Sequence, residues 1–394
     1  MQDRIPSRAG RVVSLRLKLA AASVAVLGAL AVVPAAEAGI IADYIPSRHD
    51  RFVGGTVNAS GNVANSSFLL ADYDLSGIGV GTNGGVLISD RHVLAANHFR
   101  GGSFQFVGSD GVRRSFNVDR YSTTTTPGAP SASDVVIATL TTPVDLAGFG
   151  IAPMPLARSP LSRLEGMEHF VYDKENRAGR NLIDGGRLPS GATIPGVITV
   201  AADANNNQAT VVTAYDFDTS TNGGTNGLGA DETGVVAGDS GHPTLVVTPT
   251  GELAVLGTHF AVDRENPNRD QNYITFSSIA SPYFDQIDSI VSGGGGVGLS
   301  TAIIAGPGDA NADGTVNLSD FVILRNNFNT NGGFAQGDFN DDGFIDLSDF
   351  VILRNNFGNQ DDFGLSSAPP MSPVPEPTSA ALALPLALLL RRRR

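Results

Sequence analysis

Residues 84–98 carry the sequence GGVLISDRHVLAANH, which decides how the first half of the chain folds. Two short apolar runs, 85–88 and 93–96, lie on either side of a polar Ser-Asp-Arg-His segment. Apolar runs of this length bounded by turn-forming residues are typical of two strands joined by a turn. The second run ends on small residues, and we expect it to present His98 at the end of a strand.

Two further segments contain the other groups that a nucleophilic site needs. Residues 133–140, SDVVIATL, place Asp134 at the head of an apolar strand. Residues 238–243, GDSGHP, place Ser240 in a glycine-rich turn. A serine hydroxyl becomes a good nucleophile when a neutral imidazole takes its proton, and a carboxylate must hold the imidazole in the correct tautomer. With His98, the chain therefore has these three residue types in the order His, Asp, Ser.

Over about residues 52–292 these segments together resemble the chymotrypsin/trypsin-type serine proteases. The resemblance implies an all-β double barrel that hydrolyses peptide bonds of a polypeptide substrate. It implies that Ser240 attacks, that His98 acts as base and then acid, and that Asp134 orients His98. It also implies an oxyanion hole formed by the backbone N–H groups of Gly238 and Ser240.

The chain departs from this family pattern in ways that leave alternatives open. His242 occupies a position where the motif normally has glycine. A catalytically inactive protease fold that serves as a surface adhesion or scaffold protein is therefore one alternative, and a structural matrix component is another. A further histidine, His92, is expected to lie in an exposed turn.

Substrate preference is predicted from two positions. Gly234 stands six residues before the nucleophile, where trypsin-like enzymes have an acidic residue, so a preference for Lys or Arg is disfavoured. His259 resembles the pocket histidine of glutamyl endopeptidases, and a core histidine is the alternative interpretation. Gly234 and His259 are thus the candidate specificity residues.

The segment before the β domain has two predicted cleavage points. Residues 1–38 combine several arginines, an apolar run and the sequence Ala-Glu-Ala, which predicts a secretory signal peptide removed after Ala38. Arg51 and the residues after it resemble the activation site of the protease family, which would make residues 39–51 a propeptide. The resemblance implies that the new amino terminus would then pair with Asp239.

An internal repeat with a 29-residue spacing lies near the other end of the chain. The sequence LSDFVILRNNF occurs at 318–328 and again at 347–357, each time after a loop rich in Asp and Asn. Oxygen side chains at loop positions 1, 3, 5, 9 and 12, a backbone carbonyl at position 7 and glycine at position 6 are the pattern that binds calcium. The predicted ligands of two calcium ions are Asp309, Asn311, Asp313, Thr315, Asn317 and Asp320 in the first loop, and Asp338, Asn340, Asp342, Phe344, Asp346 and Asp349 in the second.

Residues 308–358 resemble a type I dockerin, because position 12 is Asp rather than Glu and one helix follows each loop. The resemblance implies docking onto a cohesin-like domain, partly through loop positions 10 and 11. A calcium-stabilised spacer stays the alternative. In the helices we expect one apolar face in each repeat, formed by Phe321, Leu324 and Phe328 and by Phe350, Leu353 and Phe357.

Residues 374–394 contain Pro-Glu-Pro, an apolar stretch and four arginines, and resemble a PEP-CTERM sorting signal. The resemblance implies processing by an exosortase-type enzyme after transient contact with the membrane. Without residues 1–38 and the four terminal arginines, the chain has 26 − 9 = 17 basic and 39 − 2 = 37 acidic side chains. A net charge near −20 argues against nucleic-acid binding and suits an exported protein at the cell surface or outside the cell.

Composition adds two constraints. The absence of cysteine excludes disulfides and thiolate metal sites, and 47 Gly with 22 Pro disfavour a mostly helical fold. The glycine-rich residues 293–307 are expected to be a flexible linker between the β domain and the repeats, and residues 359–373 a second linker.

Overall fold

The computed structural model describes residues 39–126, 131–183, 198–202, 209–217, 227–263 and 274–361. The predicted signal peptide and the predicted sorting signal lie outside the described residues, as do residues 362–373 of the second predicted linker.

The described part of the β domain consists of short strands separated by turns. They are β1 Ile40–Ile41, β2 Val86–Leu87, β3 His92–Ala96, β4 Ser103–Val107, β5 Arg113–Thr125, β6 Ala132–Leu140, β7 Leu156–Arg158, β8 Glu168–Tyr172, β9 Ala178–Leu182, β10 Ile198–Ala202, β11 Ala209–Asp216, β12 Thr233–Gly234, β13 Pro243–Val247, β14 Leu253–Asp263, β15 Ile274–Ile279 and β16 Thr301–Ile303.

These strands form two larger sheets within the described residues. The first has five strands in the order β2-β3-β6-β5-β4, with antiparallel neighbours. The second has nine strands, seven of them in the order β10-β11-β15-β14-β13-β8-β9, with β7 and β16 joined beside β14. A two-stranded sheet pairs β1 with β12. The expected mostly β domain is confirmed.

One hydrophobic core joins the two larger sheets. Leu94 and Ile137 of the five-stranded sheet lie in the same buried cluster as Leu245 and Val255 of the nine-stranded sheet. The central strands β3 and β6 are buried on both faces, so their sequences are almost continuously apolar. Residues at the ends of these strands are consequently held at a fixed position between the two sheets.

In its described residues the β domain has two helices of one turn and one helix of ten residues, and the C-terminal repeats have two helices of ten residues each. They are α1 Pro46–His49, α2 Leu146–Phe149, α3 Phe284–Gly293, α4 Leu318–Asn327 and α5 Leu347–Asn356, with single 3₁₀ turns at Leu161–Arg163, Gly229–Asp231, Ser281–Tyr283 and Phe334–Gln336. The sequence of residues 279–291 predicts a helix that closes the β domain. The helix begins only at Phe284, because Ile274–Ile279 is a strand that pairs with β14.

The two repeats pack against each other as expected, with one correction. Leu324 and Leu353 are buried in a shared cluster, and the rings of Phe321 and Phe350 meet edge to face at 6.0 Å between centroids. Phe328 and Phe357 were expected on the same faces. They instead follow the last helical residues and are 40% and 55% exposed, because the chain becomes extended at those positions.

The glycine-rich segment after α3 is more ordered than its composition suggests. Strand β16 pairs in parallel with β7, and the backbone of Val297 exchanges hydrogen bonds with Asp90. Arg163 of the β domain binds the carboxylate of Asp361 and donates to the carbonyl of Ile304 at 3.1 Å. The C-terminal repeats are thus fixed to the β domain by strand pairing and an ion pair.

Candidate active site

His98 is positioned by the end of strand β3. The N–H of Asn97 donates to the carbonyl of Asp134 at 2.7 Å, which continues the pairing of β3 with β6 by one residue. The backbone N–H of His98 then donates to Asp134 Oδ1 at 2.9 Å. The histidine backbone is therefore held by the same carboxylate that contacts its side chain.

The Asp134 carboxylate is completely buried and faces the imidazole. His98 Nδ1 lies 2.8 Å from Asp134 Oδ1. The other oxygen, Oδ2, accepts a hydrogen bond from Ser278 Oγ at 3.3 Å. A buried carboxylate needs such partners, because an unpaired charge in a protein interior is costly.

Ser240 completes the arrangement from the other sheet. Its Oγ lies 2.9 Å from His98 Nε2. When Nδ1–H donates to Asp134, the second ring nitrogen of a neutral imidazole has a free lone pair and accepts the proton of the serine hydroxyl. The predicted residues His98, Asp134 and Ser240 are thus brought together in a continuous hydrogen-bonded chain, although they come from distant parts of the sequence.

Two neighbours of the site were missed by the sequence analysis. Ser278 on β15 binds Asp134, and Phe260 on β14 packs edge to face against the His98 ring with centroids 5.8 Å apart. Both lie within alternating strand sequences that resemble any buried strand. No local signal marked them, because their contacts arise only when β14 and β15 approach β6.

The loop around Ser240 depends on two glycines. Gly238 has φ +100° and Gly241 has φ +81°, a region that side-chain-bearing residues rarely adopt. Between them Asp239 is buried, and its carboxylate accepts from the backbone N–H groups of Val236 at 2.8 Å and Lys174 at 3.3 Å. The loop is therefore fixed by backbone geometry on both sides of the serine.

His242 is compatible with this loop. The described non-glycine residues with positive φ are Asn176, Ala312, Asn329 and Asp341, so His242 adopts an ordinary backbone conformation. Its side chain is buried, with Nδ1 3.1 Å from the carbonyl of Asp239 and Nε2 3.0 Å from that of Gly81. Burial lowers the pKa of this imidazole. The glycine of the family motif is consequently not required here for backbone conformation.

The His242 side chain fits because residue 84, at the start of the segment 84–98, is a glycine. A Cβ atom at Gly84 would lie 2.4 Å from the His242 backbone nitrogen and 2.5 Å from Nδ1. Such distances are far inside van der Waals contact, so no other residue fits at Gly84 without a shift. The segments around His98 and Ser240 therefore touch directly.

The candidate specificity residues His259 and Gly234 are both buried. His259 is 1% exposed, and its ring nitrogens contact the carbonyl of Tyr172 at 2.9 Å and Ser277 Oγ at 3.2 Å. Burial lowers the pKa of His259 to about 3, so the ring is neutral. Gly234 is buried in β12 opposite Ile40. A contact of either residue with substrate stays a prediction.

The remaining histidine prediction is wrong. His92 is fully buried at the start of β3 rather than exposed in a turn, and its Nδ1 lies 2.9 Å from Ser89 Oγ. Residues 294 and 296 of the glycine-rich segment cover it, since a Cβ at either position would lie within 2.5 Å of the ring. The apparent turn is thus sealed by a segment distant in sequence.

Arg51, the second predicted cleavage point, is also buried. Its side chain donates to the carbonyl of Ile78 and to Tyr172 Oη, each at 3.3 Å, and the following Phe52 is 4% exposed. Cleavage at this point stays a prediction, and it would require local opening of the chain.

The calcium loops place buried carboxylates where a cation is expected. Asp309 and Asp320 are 1% and 0% exposed and receive hydrogen bonds from backbone N–H groups of their own loop. Burial raises the pKa of Asp309 to about 6, and the charges of Asp320 and Asp313 act in the same direction. Crowded buried carboxylates of this kind fit a bound cation. In the described residues, however, no group of three or more His, Asp or Glu side chains has the geometry of a metal site.

The two helices begin at the final residue positions of these loops. Asn317 and Asp346 cap α4 and α5, and Asp320 and Asp349 complete a capping box in each repeat. The residues at loop positions 9 and 12 thus fix the start of each helix as well as the loop.

Comparison with known proteins identifies the repeats. Residues 307–358 match the family model for the Dockerin type I domain. This segment is therefore similar to dockerin type I domains. Dockerin type I domains bind calcium and cohesin partners, and they occur in extracellular or cell-surface proteins.

The chain is also distantly similar to solved structures. The crystal structure of the scabies mite inactivated protease paralogue S-I1 aligns with 53% of this chain and 87% of its own, with 16% sequence identity and a TM-score of 0.35. No curated protein matches the chain. Among the described residues, no helix combines the length and apolar character needed to cross a membrane.

Proposed function

We propose that the β domain is an exported serine endopeptidase and that the dockerin domain docks it in the presence of calcium. The observation that carries the proposal is the position of His98, whose two ring nitrogens lie 2.8 Å from Asp134 and 2.9 Å from Ser240. This is the geometry of an activated serine, with a base that is itself oriented by a carboxylate.

Acylation begins when Ser240 Oγ attacks the carbonyl carbon of a peptide bond. His98 Nε2 takes the hydroxyl proton as the C–O bond forms, and Asp134 stabilises the resulting imidazolium through Nδ1–H. The tetrahedral intermediate collapses, the C–N bond breaks, and the imidazolium returns the proton to the leaving amine. The acyl group then remains on Ser240.

Deacylation repeats these steps with water. His98 Nε2 removes a proton from the water molecule as its oxygen attacks the ester carbonyl. Collapse of the second intermediate breaks the bond to Ser240 Oγ, which regains its proton from the imidazolium. The acid product leaves and the triad is restored.

The developing oxyanion is assigned to the backbone N–H groups of Gly238 and Ser240. The positive φ of Gly238 supports this role, since φ sets the direction of the Gly238 N–H relative to the loop that carries Ser240, and an L-residue would resist this value. The two sheets are inferred to correspond to the two barrels of a chymotrypsin-like domain. His259 and Gly234 are assigned to the wall behind the substrate pocket.

Export, docking and processing are assigned to the other parts of the chain. The segment up to Ala38 acts as the signal peptide, and residues 374–394 as a sorting signal cut by an exosortase-type enzyme after transient membrane contact. Two calcium ions bind the dockerin loops. The exposed Leu318 and Leu347, each 65% exposed, support a contact with a cohesin-like partner.

A fluorophosphonate probe tests the proposal directly, because it labels only an activated serine. With calcium present, wild-type protein is expected to be labelled, and Ser240→Ala and His98→Ala are expected to lose labelling. Ser289→Ala, an exposed serine on α3, is the matched control and should react like wild type.

The alternative of an inactive surface scaffold makes the opposite prediction. Folded wild-type protein, verified by its circular dichroism spectrum, would then fail to react with the probe. The ordinary backbone conformation of His242 supports the active form, since it removes the feature that favoured the inactive alternative.

A further inference from the structure

The first residue after the predicted signal peptide is fixed inside the β domain. Gly39 is buried, and its carbonyl accepts a hydrogen bond from Arg177 Nη2 at 3.0 Å. The next two residues form β1, in which Ile40 pairs with Gly234, and Thr233 Oγ1 donates to the carbonyl of Ile40 at 2.8 Å. Chain termini are usually loose unless such contacts hold them.

The segment following β1 is anchored as well. Asp231 lies beside α1, where Arg48 Nε and Nη2 each approach its carboxylate to 2.5 Å and His49 Nε2 lies 3.1 Å away. Arg180 Nε contacts the same carboxylate at 2.9 Å. These ion pairs keep residues 40–49 on the domain, so the position of Gly39 is determined from its C-terminal side alone.

A buried carboxylate lies next to Gly39. Asp173 Oδ2 is 3.1 Å from the point that a Cβ atom would occupy at Gly39. The backbone nitrogen of Gly39 is bonded to the same Cα, so it lies within about 6 Å of this oxygen. Asp173 is 3% exposed, and its Oδ2 also accepts from Arg177 Nε at 2.8 Å. An amino group at Gly39 would therefore lie within about 6 Å of a buried carboxylate, so a small rotation at Gly39 would bring the two into contact.

The charges around Asp173 are unbalanced in the described part of the chain. The charge of the fully buried Asp239 acts on Asp173, and the partly buried guanidinium of Arg177 pairs with Asp173. Burial raises the pKa of Asp173 to about 7, the Asp239 charge raises it further, and Arg177 opposes this shift. A second cation at this place would relieve the repulsion.

We propose that removal of the signal peptide frees an α-amino group at Gly39 that binds Asp173, and that this ion pair completes the support of the nucleophile loop. Hydrolysis of the Ala38–Gly39 bond consumes one water molecule and leaves a carboxylate on Ala38 and an amine on Gly39. The amine is protonated at neutral pH, whereas the amide of the uncut chain carries no charge. Removal of the signal peptide during export would in this way activate the site at Ser240.

The path from Asp173 to the nucleophile is short. The backbone N–H of Lys174, the next residue, donates to Asp239 Oδ1 at 3.3 Å, and Asp239 directly precedes Ser240. A shift of the turn that begins at Asp173 would therefore move the carboxylate that fixes the nucleophile loop. This route differs from cleavage at Arg51, because it uses an amino terminus twelve residues earlier and a different carboxylate.

The reactivity of the amine tests the ion pair without reference to catalysis. A chain that begins at Gly39 is treated at pH 7 with N-hydroxysuccinimide acetate, and mass spectrometry follows acetylation of its amino terminus. An ion pair that raises the amine pKa by one unit lowers the reactive fraction about tenfold. We expect Asp173→Asn to react at least about tenfold faster than wild type, and Asp43→Asn, an exposed acidic control, to react like wild type.

Equal rates in wild type and folded Asp173→Asn would overturn the ion pair. If Asp173→Asn does not fold, a chain with one alanine added before Gly39 replaces it, because the amine is then displaced from Asp173. Fast acetylation of the extended chain together with slow acetylation of wild type supports the ion pair, and equal rates again overturn it.

The support of the nucleophile loop rests on the proposed function and has its own readout. The extended chain is expected to react with the fluorophosphonate probe at least about tenfold more slowly than the chain that begins at Gly39. Equal labelling of the two chains would overturn the link to the loop while leaving the ion pair intact. If neither chain is labelled but the amine is protected, the proposed peptidase function fails and the ion pair stands.

Discussion

His98 contacts Asp134 through Nδ1 and Ser240 through Nε2, so these two neighbours have different roles in the proposed mechanism. Asp134 favours the imidazole tautomer with the proton on Nδ1, and Ser240 then donates its hydroxyl proton to the unprotonated Nε2. A substitution at Asp134 can therefore preserve the shape of the site and still disable it.

Asp134→Asn is expected to lower the rate of fluorophosphonate labelling by about 10⁴-fold, because an amide NH₂ favours the wrong imidazole tautomer. Ser278→Ala removes only the 3.3 Å hydrogen bond to the second carboxylate oxygen. Its loss of about 1 kcal/mol corresponds to a rate decrease of about fivefold. Labelling rates of the two variants that do not differ would contradict the assignment of Asp134.

Gly238→Ala is expected to reduce labelling strongly, because alanine resists φ +100° and would turn the N–H groups away from the oxyanion. Gly166→Ala is a matched control with φ +75° and open space around the added methyl group. Both variants should lose about 1–2 kcal/mol of unfolding free energy from backbone strain. Only Gly238→Ala should lose labelling. Similar labelling in both would exclude a role of Gly238 beyond stability.

Acid sensitivity of folding is expected from His169. Burial lowers its pKa to about 3, against about 6.5 in an unfolded chain. The unfolded state therefore binds the proton first, so the stability present above pH 6.5 falls by up to about 1.4 kcal/mol per pH unit as the pH drops towards 3. Urea unfolding of His169→Phe at pH 7 and pH 5 should show a smaller decrease than wild type. An unchanged decrease would exclude this histidine as a cause.

At the level of elements, the sequence predicted those helices and turns whose ends are set by neighbouring residues in the chain. The helices after both calcium loops begin and end within one residue of the repeated sequence, since caps and loop ligands are encoded next to them. The triad could be predicted for a similar reason, because each member lies in a short segment with its own turn chemistry. Ser278, Asp173 and the buried His92 could not, because their neighbours come from strands and segments far away in the sequence.

Each of the two loops is expected to bind its calcium ion through its own ligands. Asp309→Ala should weaken the affinity of the first loop by more than about 100-fold, since even residues that only orient a ligand contribute 10- to 100-fold. Asp341→Asn changes an acidic residue at loop position 4, which is not a ligand position, and should bind like wild type. Isothermal titration would give two ions for wild type and Asp341→Asn. Two tight calcium sites in Asp309→Ala would exclude Asp309 as a ligand of the first loop.

At the scale of the whole molecule, specific contacts hold the dockerin-like repeats against the β domain, so the connection is more than a flexible linker. The N–H of Asp361 donates to the carbonyl of Gly314 in the first calcium loop at 2.8 Å, while its carboxylate binds Arg163 of the β domain. One residue therefore connects the predicted ion-binding loop to the β domain. Loss of calcium should loosen the junction as well as the loop.

Arg163→Ala is expected to increase the radius of gyration measured by small-angle X-ray scattering with calcium present. The change removes charge-assisted hydrogen bonds worth about 1–2 kcal/mol at this partly exposed junction. Arg325→Ala, an exposed arginine on α4 that contacts Asn326, should leave the radius unchanged. Calcium removal should increase the radius of wild type in the same direction. A radius unaffected by Arg163→Ala would show that β16 holds the junction alone.

Strand β16 also gives the protein a mechanical property. If a partner holds the dockerin domain while a bound substrate pulls on the β domain, the force passes along residues 297–308 before it reaches either folded part. The three-residue pairing of β16 with β7 and the Arg163–Asp361 ion pair would separate first. The released segment can then extend to at most roughly 40 Å, so the junction lengthens under load while both domains stay folded.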